Sequence, residues 1–243
     1  MDQPTHKLLK EIQWIIEIYR GPRPAIPMPI IQQRDFFAAL WSLSCLGQAG
    51  RSALPTLVEN CITEDDIFGK REFSEEELGW IIDALGAIST KEDEEVVDFL
   101  VELLCDENQP SQNREAAARH LGKLQVDTPE VIECYAQLLC DPAQWQIWMT
   151  IVEAVARLDI GSDNIRTALI AALSAEPTDL YESYSGDESF AEYPENFTQI
   201  QMQIIRVLIN KAWLPAEHDI IRTHMLKALQ EITDGGYHRI HGM

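Results

Sequence analysis

The sequence is short of positive charge. Nineteen Lys and Arg face 40 Asp and Glu in 243 residues, a formal net charge of −21. Nucleic-acid binders need Lys and Arg to displace the counterions condensed on phosphate, so that partner class is not expected. An anionic membrane surface is disfavoured for the same reason. Long apolar runs are lacking as well. The sequence contains no stretch of about 18 apolar residues of the kind that crosses a bilayer, and no early apolar run follows a basic N-terminus. A cytoplasmic location is the expectation. Cysteines are few and unpaired by spacing: Cys45, Cys61, Cys105, Cys134 and Cys140 form no CxxC. They read as small, buried apolar residues in a reducing compartment.

Catalytic and metal signatures are missing too. The chain has no GxSxG, P-loop, GxGxxG or HExxH. His238 and His241 form an HxxH with no Cys or carboxylate at ligand spacing, and His218 and His224 read as polar surface histidines. No cofactor and no metal are expected, and nothing supports an enzyme. His120, inside AAARHLG, is expected to fill a helix interface.

What the sequence does have is a repeat. LLCD closes the run EEVVDFLVELLCD at 94–106 and again the run PEVIECYAQLLCD at 129–141, a shift of 35 residues. Each run is followed by a second helical segment, REAAARHLGKL at 114–124 and WQIWMTIVEAVARL at 145–158. A two-helix unit recurring every 34 to 40 residues is the signature of an α-solenoid. Further helical segments lie at 5–20, 34–50, 52–62, 76–88, 163–173, 197–212 and 215–232. Ser74 opens a capping box with Glu77. Thr128-Pro129, Asp141-Pro142 and Ser162 supply further helix starts. The six tryptophans fall in helical segments and are expected in the core, with Trp145 partly exposed near a ridge end.

The first helices of the pairs align on Leu46-Gly47, Leu85-Gly86 and Leu121-Gly122. A small residue at that point lets two helices approach closely. The stretches 38–62 and 114–141 resemble HEAT repeats, whose units carry A-x-x-L-G in the first helix and an Asp after the second. The resemblance covers 34–174 closely and 197–232 loosely. It implies an all-α fold: a right-handed α-solenoid of about five HEAT-like helix pairs plus an N-terminal helix. The organisation is then an N-terminal helix at 1–20, a Pro-rich connector at 21–33, a repeat array at 34–232 and a tail at 233–243.

Two features carry candidate binding residues. Glu95, Asp98 and Glu102 stand at i, i+3 and i+7 of one helix, with Glu130 and Glu133 at matching places one period later. In HEAT-like arrays the second helices line the concave face, so the resemblance implies an acidic patch there. A solvated face that keeps the protein soluble is the other reading of the same carboxylates. The second feature is an insertion at 176–197 with seven acidic residues. No Lys or Arg occurs between Arg166 and Arg206. Tyr184, Asp187 and Glu188 represent it as candidate contacts, since tyrosine offers area at low entropy cost and carboxylates meet Arg and Lys.

The function expected from these features is non-catalytic binding of a basic protein or peptide segment, as an adaptor or as an inhibitor or immunity-type protein. A chaperone or lyase resembling the HEAT-like class of phycobilin lyases is the alternative, although no residue-level motif of that class is present. HEAT-like alkylpurine DNA glycosylases need a basic concave face, which this charge opposes.

Overall fold

A computed structural model of the chain describes residues 10, 14–15, 30–62, 73–175, 193–211 and 213. Among them all regular structure is helical. Of the leading helix expected at 5–20, Lys10, Trp14 and Ile15 are described and are helical. The insertion up to residue 192, the last expected helix and the tail, with their four histidines, lie outside the described residues.

The chain divides into two compact units, Met1–Val126 and Asp127–Met243. In the first, α1 (Ile30–Leu46) leads through a 3-10 turn (Gly47–Ala53) into α2 (Leu54–Cys61), followed by α3 (Glu75–Ile88), α4 (Glu94–Cys105) and α5 (Ser111–Leu124). Helix α3 packs on α1, α5 packs on α3, and α4 lies along α5. The core of this unit is built from Phe36, Leu40, Leu43, Ile81, Leu85 and Leu100, all buried. In the second unit α6 (Pro129–Cys140) leads through a 3-10 turn (Pro142–Gln144) to α7 (Trp145–Arg157). Helices α8 (Asp163–Ser174) and α9 (Tyr193–Asn210) follow. Helix α8 packs along α6, and α9 packs on both α7 and α8 around buried Tyr135, Trp148, Ile151, Leu169 and Leu208.

The helix starts follow from the capping residues. Ser74 Oγ accepts from the Glu77 amide (3.2 Å) while Glu77 Oε2 accepts from the Ser74 amide (2.8 Å), the reciprocal box that begins α3. Thr128 and Ser162 accept from Val131 and Ile165 amides and begin α6 and α8. Asp141 differs from the expectation. It accepts from the Ala143 amide at 3.0 Å and starts the 3-10 turn, so the α-helix itself opens only at Trp145.

The Leu-Gly alignment covers two different jobs. Gly47 has φ +51 and stops α1 in the left-handed region, which a glycine enters without a Cβ penalty. Gly86 is the close-approach residue, because a Cβ there would overlap the His120 ring on α5. His120 is 4% exposed, so it does fill a helix interface as its place in the sequence implied.

Helix α5 ends with the only non-glycine φ > 0 among the described residues, Gln125 at φ 57. Its amide bonds to the Gly122 carbonyl (3.3 Å), and the Val126 amide bonds to the Leu121 carbonyl (3.1 Å), the pattern of a Schellman stop. A side chain in that conformation costs roughly 1–2 kcal/mol, partly offset by the lower unfolded-state entropy of a non-glycine residue. Gln125→Gly is therefore expected to stabilise the chain by about 0.5–1 kcal/mol, read as a higher urea midpoint. A midpoint that falls would show that the Gln125 side chain contributes more than its backbone costs.

The repeated LLCD now has a physical content. In both copies the two leucines are buried, while Cys105 and Cys140 are exposed. Near the C-terminal ends of α4, α6 and α8 a carbonyl is met by a buried donor from the following helix, and in α4 and α6 these carbonyls stand one position out of the 35-residue register. Arg114 Nε donates to the Leu104 carbonyl (3.0 Å), and 34 residues later Trp148 Nε1 donates to the Leu138 carbonyl (2.8 Å). Gln201 Nε2 does the same for Leu173 (3.3 Å). Three different side chains thus answer one recurring need, the unpaired carbonyls at a helix end.

Two expectations about burial are corrected. Cys45, Cys105 and Cys140 are exposed and only Cys134 is buried. The reason is helical phase: Cys105 continues the row Asp98, Glu102, on the side away from Val97, Leu100 and Leu104. The tryptophans are not uniformly core residues either. Trp148 is fully buried, but Trp41 is 57% and Trp14 is 62% exposed, and Trp80, Trp145 and Trp213 are half-buried.

Candidate functional site

The carboxylate row on α4 is placed by the apolar pattern of the helix. Val96, Val97, Leu100, Leu103 and Leu104 are buried, which leaves Glu95, Asp98 and Glu102 on the opposite side, all exposed. None of the three pairs with a cation among the described residues. Asp93 just ahead of the helix is different. Arg51 forks onto it with contacts of 2.7 and 2.9 Å, and the Thr90 amide donates to it at 2.7 Å. Partial burial pushes the Asp93 carboxyl up, but the Arg51 and Thr90 hydrogen bonds outweigh that and hold it below the usual carboxylate range. The start of α4 is thus charge-compensated and its outer face is not.

Helix α6 repeats the arrangement within the second unit. Glu130 and Glu133 are exposed beside buried Val131, Cys134 and Tyr135. Glu133 accepts from Gln137 Nε2 at 3.1 Å and from Asn164 Nδ2 of α8 at 3.5 Å, so its oxygens are already engaged inside the unit. Glu130 and Glu133 belong to one compact unit and Glu95, Asp98 and Glu102 to the other. Tyr184, Asp187 and Glu188 lie outside the described residues.

A second polar cluster was not singled out by the sequence. Asp83 on α3 accepts from His120 Nε2 (2.8 Å) and Arg119 Nη2 (3.0 Å), both on α5. A carboxylate only accepts, so His120 Nε2 carries the proton on this contact, while His120 Nδ1 is buried without a hydrogen-bond partner. Burial raises the Asp83 carboxyl pKa, but the His120 hydrogen bond and the neighbouring positive charge prevail and hold it below its ordinary value. The signal was present in the register: Asp83 and Arg119 each stand three residues before a glycine of the Leu-Gly series, Gly86 and Gly122. Equivalent places on two neighbouring first helices meet across the interface.

No cluster of three His, Cys, Asp or Glu able to hold a metal occurs among the described residues, and none of their helices is long and apolar enough to cross a membrane. Compared with known proteins, the chain matches no family model, no curated protein and no solved structure.

Proposed function

We propose that this chain is a non-catalytic, HEAT-like α-solenoid protein that binds a basic protein or peptide segment through the outer face of α4. The observation that carries the reading is the row Glu95, Asp98 and Glu102: three exposed carboxylates on one helix face, without a cation among the described residues to compensate them. Like charges at such spacing oppose helix stability by a few tenths of a kcal/mol per pair, a cost that a cationic partner removes on binding. The net charge of −21 steers the same partners by long-range attraction. Support for the repeat reading comes from the serial packing of α1, α3 and α5 in one unit and from the carbonyl-to-donor contacts repeated 34 residues apart. An adaptor and an inhibitor of a basic toxin both fit, and a basic toxin encoded beside this chain would favour the inhibitor.

The test is charge reversal of the three residues together, to Lys. The wild-type chain, used as bait in extract of its native host, is expected to retain a basic protein identifiable by mass spectrometry. The triple variant is expected to bind that protein about a hundredfold more weakly, roughly 3 kcal/mol, with an unchanged thermal unfolding curve. Recovery of the same partners with the same salt sensitivity would leave the row with only a solubilising role.

A further inference from the structure

Helix α1 is apolar on two sides. Phe36, Leu40 and Leu43 are buried on one of them, and the helix packs with α3. On the other, Ala38, Trp41 and Cys45 stand at i, i+3 and i+7, a single row, and all three are exposed. Trp41, in the middle of the row, is 57% exposed. Phe37 beside it is half-buried, with its ring centroid 6.3 Å from that of Trp80, and extends the apolar surface toward α3. The hydroxyls of the helix are turned onto its own backbone. Ser42 Oγ donates to the Ala38 carbonyl (2.7 Å) and Ser44 Oγ to the Leu40 carbonyl (3.1 Å), so neither proton is left for water. The end layer of a helical array keeps a polar outer face where it meets only solvent. Helix α1 is the first of the serially packed α1, α3 and α5 and lacks such a face.

Charge selects what covers the row. Residues 36–50 form the longest run in the chain without a charged residue, and all 40 Asp and Glu and all 19 Lys and Arg lie outside it. A cationic partner gains no ion pair here and is drawn to the carboxylates elsewhere. A second copy of this chain, with its net charge of −21, is repelled wherever carboxylates face each other. An uncharged row is where two copies meet without that repulsion. Arg34, one turn ahead of Ala38, continues the row. An antiparallel arrangement sets it against the uncharged end of the other copy, around Gln48 and Ala49, and keeps the two Arg34 side chains apart.

We propose that the Ala38, Trp41 and Cys45 face of α1 joins two copies of this chain in a two-fold dimer of antiparallel α1 helices. The row complements itself in shape: one large ring stands between two small side chains, so each Trp41 finds a place over a small residue of the other copy. This goes beyond the α4 reading and does not rest on it, because no residue of the α4 row lies on α1.

The test is sedimentation equilibrium of the full chain in reducing buffer. A mass of two chains is expected from micromolar concentration upward. Trp41→Glu and Ala38→Arg, both at exposed positions, are each expected to raise the dimer dissociation constant at least about thirtyfold, the effect of losing a central anchor, with the helical circular dichroism signal unchanged. Salt is expected to tighten the dimer, since it screens the repulsion between two acidic copies, the opposite of its effect on a basic partner. Labelling with N-ethylmaleimide, read by peptide mass spectrometry, locates the face. Cys45 is expected to react more slowly in the dimer than after dilution to the monomer, while the exposed Cys105 reacts equally in both. A monomer at every concentration would overturn the proposal, and protection of Cys45 in that monomer would assign the face to the chain's own leading segment instead. A dimer that survives both substitutions, weakens with salt or leaves Cys45 as reactive as in the monomer would place the contact elsewhere and overturn it as well.

Discussion

Trp148→Ala is expected to destabilise the second unit by about 5 kcal/mol, a large share of the stability of a single domain. Two terms add. Trp148 has no exposed surface, and truncating a buried Trp to Ala costs about 3–5 kcal/mol in lost burial and residual cavity. Its indole N–H is also the donor to the Leu138 carbonyl at 2.8 Å, and leaving a buried carbonyl without a partner costs about 1–3 kcal/mol. Folded chains have only about 5–15 kcal/mol in hand. Trp148→Phe separates the terms, because it keeps most of the apolar volume and removes the donor. Urea unfolding followed by circular dichroism should place Trp148→Phe well above Trp148→Ala and below wild type. A Trp148→Phe variant as stable as wild type would remove the carbonyl-capping account. The same measurement on Arg114 and Gln201 variants would then lose its premise.

Gly86→Ala is the second large effect, and it runs against the usual propensity. In an ordinary helix the change gains about 1 kcal/mol. Here the added Cβ would fall within the His120 ring, far inside the separation of about 3.5–4.0 Å that carbon atoms prefer. The ring has little room to retreat. It is 4% exposed and its Nε2 is held by Asp83 at 2.8 Å. Overpacking of this kind costs about 1–3 kcal/mol, and losing the Asp83 contact adds about 1–2 kcal/mol for a hydrogen bond to a charged group. Set against the propensity gain, the net expectation is a loss of about 1–4 kcal/mol. Combining Gly86→Ala with His120→Ala gives the check. The double variant should be more stable than the sum of the two single losses predicts, by at least 1 kcal/mol, because the second change removes the obstacle met by the first. Strict additivity would mean that the two residues do not meet.

Position by position, the periodic apolar residues announced the helices well. The segments at 76–88, 114–124 and 163–173 appear as Glu75–Ile88, Ser111–Leu124 and Asp163–Ser174, because an apolar stripe at helical spacing leaves the backbone little alternative. The exposure of Glu95, Asp98 and Glu102 was also legible, since it is the phase opposite to Val97, Leu100 and Leu104. The departures came where one residue type serves two ends. Gly47 and Gly86 share a sequence context, yet one stops a helix through its backbone and the other makes room for a ring. Cys105 reads as a core residue by type and lies on the carboxylate side by phase.

The sequence by itself determined the helical class, the 35-residue recurrence and the acidic outer row of α4, because each is a matter of residue spacing along the chain. Only the tertiary structure decided which donor reaches which helix-end carbonyl, that His120 lies against Gly86, and that Asp83 of α3 meets Arg119 and His120 of α5. Those meetings join residues on different helices, 10 positions apart for Arg114 and Leu104 and 34 for Gly86 and His120, and a one-dimensional pattern holds no record of how two faces are turned toward each other.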